Sequence, residues 1–358
     1  MTPLRVLHAV RSDAFQGVEQ FVFRLAVAQA SHGHVVSVIG GADDRMRGPL
    51  ERAGVRYEPA SRTGEVIVAI RRRGREVDVV NTHMVAADVA AVAALMGRRD
   101  RPAVVSTRHF TRQRGRFRAL PLDLFVRGTV DRELAISEAV AAAIRVPSVV
   151  VHTGVADRPI ARVPREPVVL IAQRLQPEKR TDVALRAFAS SGLAREGWSL
   201  DVAGDGAEAS QLRALADTLG VSGQVSFLGF RSDLPERMSR AGLLIAPCPV
   251  EGLGLTILEA MASGLPVVAA DAAGHREVLD GLDPRAHFTP NDADAAASAL
   301  RLFAGDADAR DALGAAGRIR QREFFSVSSQ VAGTDAVYRA AIEARAARSG
   351  GVRNGAGR

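Results

Sequence analysis

Short β-branched and aliphatic runs alternate with longer amphipathic stretches along most of the chain, the pattern of parallel α/β layers. In the first half, RVLHAV (5–10), VVSVIG (35–40), DVVNTH (78–83), AVVSTR (103–108), ELAIS (133–137) and SVVVH (148–152) predict strands. Helices are predicted between them, notably over 18–32 and 84–96; in the first, Phe21, Leu25 and Ala28 fall on one stripe. The segment DRPIARVPREP (157–167) carries three prolines and no helical period, and reads as a linker. The alternation then restarts with VVLIAQ (168–173), WSLDVAG (198–204), QVSFLG (224–229), GLLIAP (242–247) and PVVAAD (266–271). These near-continuous apolar runs suit strands covered on both faces. Helices are predicted near 181–191, 207–219, 233–241, 255–263 and 327–346, and the closing RSGGVRNGAGR has the composition of a disordered tail over 347–358. The expectation is α/β architecture: two doubly wound sheets, one over 1–156 and one over 157–326, with ligands bound in the loops beyond the carboxyl ends of their strands.

Composition narrows this. A chain of 358 residues is long for one core, at ~150 residues per domain. No apolar run approaches the ~20 residues that span a bilayer, and the N-terminal MTPLRVLHAVRSD is too weakly apolar for a signal peptide. A cytoplasmic protein is therefore expected. The single cysteine, Cys248, excludes an internal disulfide and a cysteine-based zinc site. The net charge of +7 points to anionic partners. Arginines cluster at 71–76, 97–101 and 108–118, and the last run has five arginines and no acid. With one Trp and two Tyr in the chain there is no aromatic interleaving, so nucleic acid is not expected. A membrane surface or a phosphorylated acceptor fits the charge, as does a plain solvated arginine face.

The chemistry lies in the post-strand loops. Lys179, in RLQPEKR (174–180), is the only lysine in a chain whose other cations are arginines. An ammonium is a compact point charge where a guanidinium is a planar fork, and phosphate sites can require the former. Arg174 leaves the strand end and Lys179 follows across a loop containing Pro177. Two cations converging on one spot suit a diphosphate and can stabilise a departing phosphate in place of a metal. The competing reading is a loop whose charges pair with Glu178 or Asp182. Gly17, just before a predicted helix, can admit an anion to exposed backbone N–H groups, or can be a plain turn glycine. VAGDGAEAS (202–210) is not a dinucleotide fingerprint, because position 209 is alanine.

The richest segment is APCPVEGLGLTILEAMASGLPVVAAD (246–271). Glu251 sits in a loop freed by Gly252 and Gly254, a helix begins near Leu255, and Glu259 lies one turn in. The helix start offers unpaired N–H donors to phosphate, and two flanking carboxylates suit hydroxyl recognition. Glu259 also suits a surface residue near the positive end of the helix dipole.

EGLGLTILEAMASGLPVVA resembles the E-x7-E segment of retaining family-4 glycosyltransferases with the GT-B fold, and RLQPEK resembles their R-x4-K diphosphate clamp. The resemblance continues in order along the chain. QGVEQFVFRLAVAQASHGHVVSV is similar to their N-terminal glycine loop and helix, VVSTRHFT to the histidine strand and LAISEAV to the serine-containing strand end. LDVAGDGAEASQLRALADTLGVSGQVSFLGF is similar to the nucleotide-side strand and helix, followed at the usual place by Ala273-Gly274 through Glu277.

The resemblance implies two Rossmann-like domains facing across a cleft, with the last helix crossing back to the N-terminal domain. It implies metal-independent, retaining transfer of a sugar from a UDP- or GDP-sugar to an acceptor hydroxyl, with no cofactor. Arg174 and Lys179 would hold the diphosphate, Glu251 the donor sugar and Glu259 the ribose hydroxyls. The N–H groups of Leu255 and Thr256 would meet sugar and phosphate, Gly17 would approach the phosphate, His109 the donor sugar and Phe230 the base. His83 is left as an acceptor-side candidate. The sequence departs from the family at Gln16, Gln173 and Arg180, where glycines are usual, and at Thr153-Gly154-Val155-Ala156. The arginines of the N-terminal half suggest an anionic or lipid-linked acceptor and peripheral contact at the inner face of the membrane. Two alternatives stand beside the transferase: a sugar-nucleotide 2-epimerase of the same fold, and a catalytically silent protein that binds a nucleotide-sugar or an anionic polymer.

Overall fold

The computed structural model describes residues 2–117, 120–159 and 164–354. The chain divides into two compact units, one built from the residues before Gly154 together with those after Ser326, the other from Gly154–Ser326.

Unit 1 is built on β1 (Arg5–Val10), β2 (Val35–Ile39), β3 (Arg56–Glu58), β4 (Val79–His83) and β5 (Ala103–Arg108). A short antiparallel ladder, β6 (Arg116–Phe117) with β7 (Leu120–Pro121), precedes β8 (Arg132–Ala135) and β9 (Val149–Val150). The main sheet is parallel in the order β3-β2-β1-β4-β5-β8-β9, so the strand order reverses between β1 and β4. Val10 lies opposite His83 there, and His83 in turn lies opposite Thr107. Helix Gly17–Ser31 buries Phe21, Leu25 and Ala28 against this sheet, the expected stripe. Helices Asp43–Arg52 and Thr63–Arg73 hide only short apolar sets, Met46 with Leu50 and Val66 with Ala69 and Ile70.

The last helix, Val327–Asn354, belongs to unit 1 and runs past the expected end at 346, so the expected disordered tail is helical as far as Asn354. Near the expected end, Arg345 Nη2 donates to the Arg99 carbonyl at 2.5 Å, and Arg348 lies 3.6 Å from Asp131. Deeper in, His34 Nε2 meets the buried Asp335 carboxylate at 2.8 Å, and Asn81 donates to the Tyr338 hydroxyl at 2.8 Å. Residues 355–358 of the expected tail lie outside the described residues.

Unit 2 is a parallel sheet of β10 (Glu166–Ala172), β11 (Ser199–Ala203), β12 (Val225–Gly229), β13 (Ala241–Ala246), β14 (Val267–Ala270) and β15 (His287–Phe288), in the order β12-β11-β10-β13-β14-β15. Both faces are covered, as the apolar runs required. Helices Thr181–Ser191 and Ala293–Gly305 pack together through the buried Phe188, Leu300 and Phe303. The reversal here falls between β10 and β13. The loops carrying Lys179 and Glu251 therefore leave neighbouring strand ends, where open α/β sheets bind ligands. Of the expected linker, 160–163 lie outside the described residues; its start is tied down within unit 2 by Arg318, which reaches Asp157 at 2.8 Å. Among the described residues no helix is long and apolar enough to cross a membrane.

Candidate functional site

After β10 the chain turns through Arg174 into a 3-10 turn, Pro177–Lys179, and Arg180 then takes a left-handed conformation (φ 52°) before the helix at Thr181. Gln173 secures this turn: its Nε2 donates to the Lys179 carbonyl at 2.9 Å and to Thr181 Oγ1 at 2.9 Å. The residue that replaces the usual glycine is thus a brace for the lysine loop. The loop after β11 packs on the same turn, with the Leu175 N–H donating to the Asp205 carbonyl at 2.9 Å.

Lys179 Nζ donates to Glu251 Oε2, joining the two loops across the strand reversal, and the two side chains are only 15% and 28% exposed. Burial pushes the Glu251 carboxyl up, but the charge and hydrogen bond of Lys179 outweigh it and hold the group below the usual carboxylate range. Lys179 pairs with neither Glu178 nor Asp182. Asp182 instead takes Arg180, at 2.9 Å, and Glu178 faces Arg174 at 3.4 Å. Arg174 itself is 67% exposed and faces Glu178, so its guanidinium does not join Lys179.

The Glu251 loop ends at Gly254, whose φ of 94° only glycine adopts readily, and helix Leu255–Ala262 begins there. The N–H groups of Leu255 and Thr256 lie in the first turn, which has no carbonyl partners of its own within the helix. Glu259 is half-buried on the same helix. Beneath the helix start sits His275, a residue the sequence reading passed over. A Cβ at Gly254 would come within 3.1 Å of its ring, and its Nδ1 lies 3.3 Å from the Ala270 carbonyl. Burial pushes His275 down to about 4, although the Glu251 charge opposes this, so the ring is neutral at physiological pH. Gly274 admits the loop from the other side. Its N–H donates to the Glu251 carbonyl at 3.0 Å, and a Cβ there would fall 2.5 Å from the Gly252 carbonyl oxygen. Phe230, just past β12, is 84% exposed, a large aromatic face that folding does not use.

In unit 1, Gly17 is the first residue of helix Gly17–Ser31, and a Cβ there would meet nothing within 4 Å. The unit's own packing therefore does not require a glycine at this position. His109 follows β5 and is nearly buried, with Phe21 edge-on at 4.7 Å between ring centres. His83 is fully buried and bonds His109 at 3.0 Å, so it is an interior residue and not the acceptor-side contact expected of it.

The arginine run after β5 also differs from its expected role. Arg114 is enclosed, its guanidinium meeting Asp88 at 2.6 Å, Asp123 at 2.7 Å, Glu133 at 2.8 Å and Ser106 Oγ at 2.7 Å. Arg108 is buried beside it, 3.8 Å from Glu133. Two of the five arginines thus neutralise interior carboxylates and do not form a solvated face; Arg118 lies outside the described residues.

Two family models match the chain: Glycosyltransferase Family 4 over residues 15–158 and Glycosyl transferases group 1 over 156–320. An exopolysaccharide phosphotransferase of Streptomyces coelicolor is 36% identical over 140 residues, 38% of this chain and 15% of that protein. A GDP-mannose-dependent alpha-(1-6)-phosphatidylinositol monomannoside mannosyltransferase of Mycobacterium tuberculosis is 32% identical over 166 residues, 44% of this chain and 43% of that one. The chain thus spans less than half the length of either relative. Among solved structures, Anabaena HepE in complex with UDP superposes with a TM-score of 0.77 at 20% identity, covering 93% of this chain and 99% of that one.

Proposed function

We propose that this chain, which belongs to the GT-B glycosyltransferases, moves a sugar from a nucleotide-sugar donor to an acceptor hydroxyl, with retention and without a metal. The observation that carries this reading is the Lys179–Glu251 pair, a cation and a carboxylate joined where β10 and β13 end and a helix N-terminus begins. In the proposed reaction Lys179, with Arg174 swinging in from solvent, and the N–H groups of Leu255 and Thr256 hold the diphosphate. Glu251 accepts hydrogen bonds from the donor sugar, Glu259 from the ribose, and Phe230 offers its exposed face to the base. Within unit 1, Gly17 and His109 are the residues proposed as substrate contacts.

The bond from the anomeric carbon to the leaving phosphate oxygen breaks as the acceptor oxygen bonds to the same face of that carbon. The acceptor's proton passes to the departing phosphate. Cations aimed at the charge that develops there, Lys179 held in its loop and Arg174 joining it, are the expected source of rate enhancement.

Calorimetric titration of UDP and of GDP in EDTA tests the donor site. Binding of one nucleotide, weakened at least ~10-fold by Lys179→Ala, is expected from the loss of a charged hydrogen bond. Failure of both to bind overturns the assignment. HepE was solved with UDP, and the mycobacterial relative is named for GDP-mannose, so both bases belong in the experiment. The anomeric configuration of the product, read by NMR, tests retention.

The proposed acceptor is anionic or lipid-linked, with peripheral membrane contact. The support is the segment 110–127, in which Phe110, Leu124 and Phe125 are exposed and so are Arg112 and Arg127. Sedimentation with vesicles containing anionic lipid should capture the protein; capture lost at moderate salt would reduce the contact to charge alone.

A further inference from the structure

Three imidazoles stand in file inside unit 1. His8 Nε2 is 2.8 Å from Gln29 Oε1, His8 Nδ1 is 3.0 Å from His83 Nε2, and His83 Nδ1 is 3.0 Å from His109 Nε2. The file runs across β1, β4 and the end of β5, under helix Gly17–Ser31, which contributes Gln29 at one end and Phe21 at the other. His8, His83 and Gln29 are wholly buried, whereas His109 retains 9% of its surface. Among the described residues, His109 Nδ1 has no hydrogen-bond partner.

A neutral imidazole carries one N–H and one lone pair. Burial keeps all three rings neutral: His8 is pushed down to about 4, His109 to about 3, and His83 well below its ordinary value. Gln29 turns Oε1 toward His8 and leaves its own Nε2 without a partner among the described residues; in that amide orientation the oxygen can only accept, so His8 Nε2 donates to it, which leaves a lone pair on His8 Nδ1. His83 Nε2 must then donate to that lone pair, and His109 Nε2 to the next. Each ring fixes the tautomer of the next.

We propose that Gln29, His8 and His83 are positioning residues that lock His109 with its proton on Nε2 and present a lone pair, not an N–H, at its Nδ1. Resting on the glycosyltransferase reading, this means that the substrate group met by His109 brings its own hydrogen: a sugar hydroxyl suits it and a sugar carboxylate does not.

The first test does not depend on activity. In 15N-labelled free protein near neutral pH, two-bond 1H–15N correlations should show His109, His83 and His8 each protonated on Nε2 with Nδ1 unprotonated. An Nδ1–H signal at His109, or averaging between tautomers, overturns the proposal. Gln29→Glu keeps an acceptor at the end of the file and should preserve the His109 pattern; Gln29→Leu should release it into a mixture. If Gln29→Leu does not fold, the wild-type spectrum and Gln29→Glu still decide. In transfer assays a neutral hexose donor should exceed the matching uronic acid donor by at least ~10-fold in kcat/KM, the worth of one mismatched hydrogen bond. Gln29→Leu should narrow that preference and Gln29→Glu should keep it. Equal use of both donors with the tautomers as stated would refute the substrate consequence alone. Absence of any transfer with the tautomers intact would count against the function and not the file.

Discussion

Glu251→Gln separates the two jobs assigned to the Lys179–Glu251 pair. The Lys179 ammonium is held by the Glu251 carboxylate, so a diphosphate arriving at Lys179 has to displace it. A hydrogen bond between charged groups contributes about 1.5–3 kcal/mol. The 28% exposure of Glu251 places this one at or below the lower end, about 1–1.5 kcal/mol. Replacing the carboxylate by a neutral amide of the same shape removes most of that competition. The affinity for UDP or GDP should therefore rise by about 5–10-fold. Sugar transfer should fall, by about 100-fold, if Glu251 is the charged acceptor for a donor hydroxyl, since about 3 kcal/mol is then lost at the reacting end. Lys179→Ala should behave oppositely toward the nucleotide, weakening it while leaving Glu251 without its partner. Calorimetry with the nucleoside diphosphate and initial-rate kinetics with the nucleotide-sugar read the two effects separately. The reasoning fails if Glu251→Gln and Lys179→Ala weaken the nucleotide alike. The pair would then be a brace between two loops and not a displaceable contact.

Phe230→Ala should leave the melting temperature unchanged, since the ring is 84% exposed, yet weaken nucleotide binding by the ~1–3 kcal/mol of one stacked base; unchanged affinity would remove Phe230 from the site. Gly274→Ala places a Cβ 2.5 Å from the Gly252 carbonyl oxygen and the Leu253 Cα, backbone atoms that cannot swing aside. It should displace the Glu251 loop and abolish nucleotide binding in calorimetry, and a variant that binds normally would show the loop to be adjustable. Acid should destabilise the fold through its neutral histidines. His8 and His275 have folded values of about 4 against about 6.5 unfolded, so their contribution is complete above pH 6.5 and drains away as pH falls toward 4, by about 1.4 kcal/mol per pH unit each. Thermal melts at pH 7.5 and 5 should differ by several degrees, whereas equal melts would mean that these rings are hydrated. Arg114→Met strands Asp88, Asp123 and Glu133 around a neutral chain and should cost at least ~3 kcal/mol in urea unfolding of unit 1; a near-normal midpoint would show that the carboxylates protonate at little cost.

The sheets were legible in the sequence because strands buried on both faces must be apolar throughout, and that pattern survives without knowledge of neighbours. The strands missed, β3, β6, β7 and β15, are each only two or three residues long, too short to show a period. Lys179 was legible for a compositional reason, a lysine in a chain that otherwise uses arginine, and Glu251 because glycines and a helix start surround it. Its partnership with Lys179 was not, since it follows from β13 lying beside β10, a neighbour relation that skips two strands. His275 escaped for a related reason: its place is set by the left-handed turn at Gly254, a backbone feature with no pattern of its own. The arginine run misled because counting charges assigns them to the surface. Arg114 is compensated by carboxylates that are scattered along the chain and meet only after folding.

The histidine file shows the same limit most sharply. His8 and His83 are 75 residues apart, and His83 and His109 are 26 apart. No local spacing rule connects them. What connects them is the reversal of strand order between β1 and β4, which sets His8 and His83 on one face beneath a single helix. Unit 2 makes the same use of its own reversal, between β10 and β13, to join Lys179 to Glu251. In each unit the residues that carry the proposed chemistry are remote in sequence and adjacent at the switch point of a parallel sheet. The reason is steric: where consecutive connections run to opposite sides of a sheet, the strand ends between them are left uncovered. Polar side chains placed there can face a ligand without opening the core, and for that reason the residues flanking the two reversals are the place to look for the remaining determinants of donor and acceptor.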